Sequence, residues 1–371
     1  MKSRFRAPRG ALWRHADFLR LWSAQTVSAF GARITREGLP LAAVLTLKAA
    51  PAQLGVLAAL SLAPGLIVGL TLGGRVDRSS KRGLLIGADL TRMAVLLTVP
   101  IAAWLHLLTI WQLYAAAVLV GAASLLFEIA DHAYLPGLVG HAHLLEANAK
   151  LSVTDSIAEI GGPALAGALI QWLAAPLAIA VNAATYLVSA LFLGGIKTRE
   201  AQAPAAAEPK AHLLADLRAG IGVIWSSTLL RPLFLTAMTG NLFIYVFAGL
   251  YVVFAIRTLG LTPALLGVTV AVGGVSALVG ALFGPAMIRW LGVGPAYLAA
   301  SGLAAASALF IPLAHGTGPR AMLFLVVAQL LGDGFGVIAG VAPPACARAS
   351  PRGTASAGWG RCSRPAPGVW R

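Results

Sequence analysis

About ten long apolar stretches restrict the fold of this chain more than any other feature of its sequence. Each holds about twenty mostly apolar residues, the length that a helix needs to cross roughly 30 Å of hydrocarbon. Only 11% of the 371 residues are charged and 58% are hydrophobic, whereas soluble globular domains carry about 25% charged residues. The sequence therefore predicts an all-α, polytopic membrane protein. The stretches lie near residues 18–47, 53–74, 83–104, 109–135, 152–173, 176–196, 232–257, 263–288, 295–314 and 320–341.

A seven-residue motif occurs twice, 212 positions apart. Ala50–Val56 reads APAQLGV and Thr262–Val268 reads TPALLGV, so five of the seven letters agree. The same offset aligns long apolar stretches on either side of each copy. We expect a duplicated helical bundle whose two halves are related by a pseudo-two-fold axis, which is the usual build of secondary transporters.

Composition divides the chain into four predicted parts. The first is an N-terminal bundle of six helices, and the second is a cytoplasmic linker rich in Ala, Pro and charge that includes an amphipathic helix. The third is an incomplete C-terminal bundle of four helices, and the last is a basic tail rich in Pro and Arg. The predicted boundaries are 1–196, 197–231, 232–341 and 342–371.

The repeat also predicts a longer chain. An offset of 212 would carry the second half to about residue 408. Residues 342–371 contain five arginines, five prolines and no acidic residue, and they do not resemble residues 130–159. We interpret them as a frameshifted or truncated end, with helices 11 and 12 absent; a natural disordered tail is the alternative. On the first interpretation we expect little or no transport from this chain.

The charges are distributed in the way that is typical of membrane topology. With a cytoplasmic N-terminus, the inner segments hold seventeen Lys and Arg residues and the outer loops hold three. This positive-inside bias predicts a multi-pass protein of a bacterial inner membrane with its N-terminus in the cytoplasm. Topology explains the net charge of +15, so we expect no nucleic-acid partner.

The sequence contains no nucleophile elbow, phosphate loop, dinucleotide fingerprint or zinc-ligand spacing. Both cysteines, Cys346 and Cys362, lie in the last thirty residues. We therefore expect no enzyme activity, no cofactor and no metal site.

The segment between the second and third stretches carries glycine and charge at a fixed spacing. The glycine permits close helix approach, and the basic residues hold the loop at an anionic leaflet. An ordinary basic loop would explain the arginines but not the spacing. The residues are Gly73, Asp77, Arg78, Lys81 and Arg82.

This spacing resembles the loop signature of the major facilitator superfamily, with Ser80 in place of its second glycine. Gly162, Pro163 and Gly167 in the fifth stretch are similar to the Gly-Pro motif of exporters in that family. Three further segments resemble its branch of enterobactin exporters and macrolide efflux pumps: Phe18–Trp22, Ala88–Arg92 and Ala147–Asn148.

The resemblance implies a monomeric transporter of that fold in the membrane lipid. It further implies proton-coupled efflux of small amphipathic compounds, such as drugs or siderophores, by alternating access.

Ionisable residues inside the stretches are candidates for substrate binding or proton coupling. Each costs about 2.5–3.5 kcal/mol at the centre of a membrane helix and needs a reason. Arg33 and Glu37 lie on one face of helix one and either neutralise each other or line a cavity. Glu128 and Asp131 share a face of helix four and act either as proton carriers or as solvated gate residues. The candidates are Arg33, Arg36, Glu37, Glu128, Asp131 and Asp333.

Other polar residues have a structural interpretation. Asp89 and Arg92, three apart in helix three, are expected to form either a structural pair or contacts with the loop signature. Gln25 and Asn182 serve either as hydrogen-bond donors in a cavity or as contacts between helices. Asp155 and Glu159 are expected at the inner interface.

Two other functions fit part of the sequence. A membrane-embedded enzyme acting on a lipid would need a polar catalytic cluster, and only Asp131-His132 qualifies. A non-transporting remnant of a transporter, serving as a structural subunit, is the third reading.

Overall fold

Every element in the described part of the chain is helical. The computed structural model describes residues 11–71, 79–140, 142–198, 222, 225–228, 230–316 and 319–349. The all-α prediction is confirmed for these residues. Gly73, Asp77 and Arg78 of the loop signature lie outside them.

The first compact unit contains residues 1–214 together with 245–253. It begins with a 3₁₀ turn at Ala11–Arg14 and continues through six helices. Helix α1 packs against α5 and α6, α3 packs against α4 and α6, and α2 packs against α4. The helices are α1 (Ala16–Leu45), α2 (Pro51–Thr71), α3 (Lys81–Trp104), α4 (Ile110–Val139), α5 (Leu144–Leu173) and α6 (Ala175–Gly194).

The second unit contains residues 215–244 and 254–371. Helix α9 continues into a single turn at Phe310–Leu313, and α10 packs against both α8 and α9. The helices that follow α6 are α7 (Leu230–Val253, ending in a π turn at Phe254–Thr258), α8 (Pro263–Leu291), α9 (Val293–Ser307) and α10 (Pro319–Ala349). The four domain boundaries proposed from composition remain predictions.

Side-chain caps begin several helices at the polar residues that precede the apolar stretches. Ser80 Oγ accepts a hydrogen bond from Gly83 N at 3.1 Å, and Thr262 Oγ1 accepts one from Leu265 N at 3.4 Å. These oxygens satisfy N–H groups that have no partner within the first turn of a helix.

Six helices are long and apolar enough to cross a membrane, judged by length and composition within the described residues. They are α3, α4, α6, α8, α9 with its following turn, and α10. Helices α1 and α5 are each 30 residues long but carry several ionisable residues.

The two copies of the repeated motif occupy the same local position. Pro51 begins α2 and Pro263 begins α8. Leu54 and Leu266 are 2% and 1% exposed, whereas Val56 and Val268 are 46% and 41% exposed. The motif therefore has one role in both units: it starts a helix and buries the same leucine.

Glycine and serine bring α8 and α10 close together in the second unit. Ser276 Oγ donates a hydrogen bond to the Leu330 carbonyl. A Cβ added at Gly280 would lie 2.9 Å from the Gly334 carbonyl carbon and 3.1 Å from its Cα. Small residues permit such close approach of membrane helices, where packing replaces the hydrophobic effect.

Two boundaries differ from the apolar stretches. Helix α5 begins at Leu144 and not near residue 152, and α10 continues to Ala349. The added turns of α5 carry charged residues such as Glu146 and Lys150, so the length of the apolar stretch does not include them.

Four tryptophans lie at helix ends, the place where amphipathic rings favour the headgroup layer of a membrane. Trp104, Trp111, Trp172 and Trp290 are 76–82% exposed within one turn of a helix end. Trp22 differs, because its ring packs edge-on against Trp13 at 5.3 Å between centroids.

Candidate functional site

A row of ionisable and amide side chains runs along α1, α4 and α5 inside the first unit. We call this row the polar strip. It contains four residues of α1, one of α4 and two of α5: Gln25, Arg33, Arg36, Glu37, Asp131, Asp155 and Glu159.

Glu159 of α5 lies between two guanidinium groups of α1. Its Oε2 forms an ion pair with Arg33 Nη2, and its Oε1 lies 3.2 Å from Arg36 Nη1. The side chains of Glu159 and Arg36 are 42% and 54% exposed. Glu159 is therefore part of the candidate site, and its place at the inner interface stays a prediction.

Glu37 pairs with its neighbour Arg36. The Arg36 Nε and Glu37 Oε1 atoms are 3.7 Å apart, and the Glu37 side chain is 14% exposed. The expected contact between Arg33 and Glu37 is replaced by the contact between Arg33 and Glu159. The reason is steric: Arg33 extends across the interface toward α5, where a glycine leaves room for it.

That glycine is Gly162 of the Gly-Pro motif. A Cβ placed on Gly162 would lie 2.5 Å from Arg33 Cγ and 2.6 Å from Arg33 Cβ. Pro163 and Gly167 are also buried, and Pro163 does not end α5. The motif therefore does more than bring two helices together, since it leaves the space in which the Arg33 side chain lies.

Asp131 of α4 meets α1 at the other end of the strip. Its Oδ1 accepts a hydrogen bond from Gln25 Nε2. Asp155, His132 and Glu128 are the charged groups that interact with it electrostatically. Asp155 also interacts with Arg33, so it connects Asp131 with the arginines. Glu128 is exposed and lies one turn from Asp131 on the same helix.

Asp89 and Arg92 form the buried ion pair that was expected of them. Their side chains are 0% and 4% exposed, and Arg92 Nη2 donates to Asp89 Oδ1. The Arg92 guanidinium carbon lies 4.5 Å from the Phe127 ring centroid and 4.2 Å from that of Tyr186. Removing one partner of such a pair would leave a buried charge, which supports a structural role.

Asn182 is a contact between helices and not an exposed donor. It is 0% exposed, and its Nδ2 donates to Thr35 Oγ1 of α1. Thr185 Oγ1 in turn donates to Asn182 Oδ1 at 2.8 Å. Gly31 of α1 leaves the space for both side chains.

Arg82 of the loop signature closes the C-terminal end of α6. Its Nε donates to the Leu193 carbonyl at 2.9 Å, and its Nη2 donates to the Gly194 carbonyl. Carbonyls in the last turn of a helix lack their usual partner four residues later, and a cation is stabilised at that negative end of the helix dipole.

Asp17 holds the segment that follows α6. Its Oδ2 accepts hydrogen bonds from Thr198 N at 2.8 Å and Thr198 Oγ1 at 2.6 Å, and its Oδ1 lies 2.6 Å from Arg20 Nη1. Burial of Asp17 favours the neutral carboxyl, but the hydrogen bonds from Thr198, Lys197 and Arg20 outweigh it and lower the pKa from 3.8 to about 2.

Asp333 lies in α10 of the second unit. A Cβ on Gly273 of α8 would overlap its Oδ2, so the carboxylate lies directly over that glycine. Among the described residues, no group of three or more His, Cys, Asp or Glu side chains is arranged to hold a metal ion.

The sequence profile of the Major Facilitator Superfamily matches residues 21–361. The chain belongs to the Major Facilitator Superfamily. This is a family of transporters and not of enzymes, as the sequence predicts. The chain is therefore a multi-pass membrane protein.

Two curated relatives within the superfamily come from Bacillus subtilis (strain 168). The uncharacterised MFS-type transporter YfiS is 27% identical over 178 residues, which are 47% of this chain and 40% of the relative. The uncharacterised MFS-type transporter YvqJ is 22% identical over 181 residues, covering 48% and 43%. The matched part of the chain thus spans less than half the length of either relative.

Solved structures of the superfamily share the fold. The nucleoside transporter NupG has a TM-score of 0.69 at 12% identity, covering 94% of this chain and 88% of NupG. A bacterial homologue of the iron transporter ferroportin, in an inward-facing state, has a TM-score of 0.62 at 17% identity, covering 91% and 85%. At these identities the likeness is one of fold.

Proposed function

We propose that this chain is a secondary active transporter that exports small amphipathic compounds in exchange for protons, by alternating access. Membership of the superfamily supports transport, and the Gly-Pro and loop motifs support the exporter branch. The observation that carries the proposal is Glu159, a partly exposed carboxylate held between Arg33 and Arg36 in an apolar unit. Charged groups are costly in a membrane and mark paths for substrates, ions or protons.

The two ends of the polar strip have different chemistry. Glu159 is bound by two permanent cations, so a substrate cation must displace a guanidinium to reach it. Asp131 is bound by the Gln25 amide, which offers both a donor and an acceptor and can satisfy either protonation state of a carboxyl. We therefore assign proton exchange to Asp131 and substrate contact to Glu159 and its arginines.

Coupling requires that the two facing states bind the proton and the substrate with different affinities. Asp155 interacts electrostatically with both Asp131 and Arg33. Protonation of Asp131 removes a negative charge near Asp155, which favours the ionised form of Asp155 and so strengthens its attraction for Arg33. The strip can thus transmit the protonation state of α4 to the arginines of α1.

The positive-inside bias supports a cytoplasmic N-terminus in a bacterial inner membrane. The described end of the first unit that carries Arg20, Lys81, Arg82 and Lys150 is then the cytoplasmic end.

Transport tests the function. Everted membrane vesicles containing the full chain are given an acidic interior, and uptake of ethidium, an amphipathic cation, is followed by fluorescence. On the alternative interpretation of residues 342–371 as a natural tail, we expect gradient-driven uptake that Asp131→Asn abolishes. The matched variant is Glu128→Gln, an exposed carboxyl one turn away, which we expect to retain at least half of the uptake. Uptake equal to that of empty vesicles would contradict transport of this class of compound.

Binding tests the assignment of Asp131 without requiring turnover. The affinity of the purified full chain for tetraphenylphosphonium is measured between pH 5.5 and 8.5. Because a proton and the cation compete for the strip, we expect weaker binding at low pH, and Asp131→Asn should remove this dependence. A pH profile unchanged in Asp131→Asn would show that another group takes up the proton.

A further inference from the structure

A cavity of about 380 Å³ lies between the start of α1 and the start of α5, away from the polar strip. Trp13 of the 3₁₀ turn and Trp22 of α1 form one wall, with their rings edge to face and their centroids 5.3 Å apart. Trp22 Nε1 donates to Thr154 Oγ1 of α5 at 3.0 Å, which fixes this wall against α5. The cavity is therefore a built feature and not a gap between mobile side chains.

Its α5 wall carries two opposite charges. Lys150 Nζ lies 3.3 Å from Glu146 Oε1 and 3.9 Å from the centroid of the Trp13 ring. The side chains of Lys150 and Glu146 are 16% and 24% exposed. Because the two charges compensate each other, a ligand with one charge would leave the other uncompensated, whereas a zwitterion would match both.

Beyond the charges, the same wall is apolar. Val153 and Ile157 line the cavity and are 59% and 55% exposed. Helix α5 begins at Leu144 and passes from the end of the unit into the apolar span. At 1.5 Å per residue, Lys150 lies about 6 Å deeper than Glu146, and Ile157 lies about 10 Å deeper than Lys150. From the water inward, the order is therefore carboxylate, ammonium and hydrocarbon.

This order is complementary to one class of membrane lipid. A phospholipid with an ethanolamine headgroup presents, from the water inward, an ammonium, a phosphate and acyl chains. We propose that the cavity binds one such phospholipid of the leaflet at this end, with its ammonium at Glu146 and its phosphate at Lys150. Its acyl chain then lies along Val153 and Ile157.

The hydrogen-bonding chemistry selects a primary ammonium. Glu146 is a charged acceptor, and three N–H donors of an ethanolamine group form strong charge-assisted hydrogen bonds with it. A trimethylated headgroup has no such donor. An anionic glycerol headgroup would place an uncharged diol at Glu146, where it would not offset the carboxylate charge.

Lipid retention tests the site. The full chain is reconstituted in nanodiscs with equal amounts of phosphatidylethanolamine, phosphatidylglycerol and phosphatidylcholine, extracted gently, and its bound lipids are counted by mass spectrometry. We expect one retained phosphatidylethanolamine per chain and about tenfold less of the other two. Equal retention of all three lipids, or preference for either of the others, would overturn the proposal.

A double variant that exchanges the two charges tests whether their order determines the lipid preference. Glu146→Lys combined with Lys150→Glu keeps the ion pair and the net charge but reverses the order, so we expect the preference for phosphatidylethanolamine to be lost. Should the swapped chain fail to fold, Lys150→Met keeps the contact with Trp13 and removes only the charge, with the same expected loss. Trp13→Leu should also release the lipid, whereas Trp172→Leu, at an exposed tryptophan near the other end of α5, should not. Unchanged retention in the folded charge variants would refute the site.

Discussion

Gly162 shows most directly how one residue of the sequence sets the geometry of the candidate site. In Gly162→Ala, the new methyl group would overlap Cβ and Cγ of Arg33, so Arg33 must leave Glu159. Overpacking of this kind costs about 1–3 kcal/mol. We expect a lower midpoint of thermal unfolding in detergent and tighter binding of tetraphenylphosphonium, because Glu159 then has one guanidinium fewer to be displaced.

The neighbouring glycine provides the control for this substitution. A Cβ at Gly161 would have Phe30 Cε1 as its nearest neighbour, at an ordinary 3.8 Å. Gly161→Ala should therefore leave both stability and binding unchanged. Equal changes in stability and in binding of the two variants would mean that helix propensity or lipid packing causes them. The space that Gly162 leaves for Arg33 would then not be the cause.

Asp17 gives a prediction about pH, because its carboxylate is stabilised in the folded chain. Its pKa is lowered from 3.8 to about 2, so the folded state favours the ionised form by about 2 kcal/mol. This stability is fully present well above pH 3.8 and is lost as the pH falls through about 2. Denaturant unfolding should show Asp17→Asn less stable than the unmodified chain by about 2 kcal/mol at pH 7.

The difference between the two chains should shrink between pH 5 and pH 2, as Asp17 becomes protonated in both folded and unfolded states. Thr198→Val removes one of the hydrogen bonds to Asp17 and should show a smaller effect with the same pH trend. A difference that persists undiminished at pH 2 would contradict a contribution from the charge.

At the scale of the element, the contact between α8 and α10 depends on residues without bulk. A methyl group at Gly280 would overlap backbone atoms of Gly334. Backbone atoms cannot move away by a rotamer change, as the atoms of a side chain can. Gly280→Ala should therefore separate the two helices and cost several kcal/mol. Thermal unfolding in detergent measures this loss.

Gly302 of α9 is the matched control, since a Cβ there would have no heavy atom within 4 Å. Gly302→Ala should be neutral or slightly stabilising, because alanine is the better helix former. If the two alanine variants unfolded at the same temperature, close packing would not explain the glycines of α8.

Element positions were predictable from the sequence because apolar length is dictated by the thickness of the membrane. The errors fall where that constraint ends: α5 starts at Leu144 because its first turns lie beyond the apolar span. The candidate site was predictable only in part. Arg33, Arg36 and Asp131 are recognisable as charges in apolar stretches. The ion pair between Glu159 and Arg33, however, depends on how α5 is rotated about its axis relative to α1. Spacing along one helix does not contain that information.

At the scale of the whole molecule, the repeat predicts that the two units lose stability in the same way. Leu54 and Leu266 are equivalent and buried at the start of α2 and α8. Leucine-to-alanine substitution at a buried site costs about 2 kcal/mol or more through lost contacts and the cavity that remains. We expect Leu54→Ala and Leu266→Ala to destabilise the chain by similar amounts. Because they lie in separate compact units, the losses of unfolding free energy should add in the double variant.

Val56→Ala and Val268→Ala, at the exposed positions two residues later, provide the controls, and each should cost less than half as much unfolding free energy. The measurement is unfolding of all five variants in one detergent. A large loss of stability for one leucine variant and none for the other would contradict an equivalent role for the two copies of the motif.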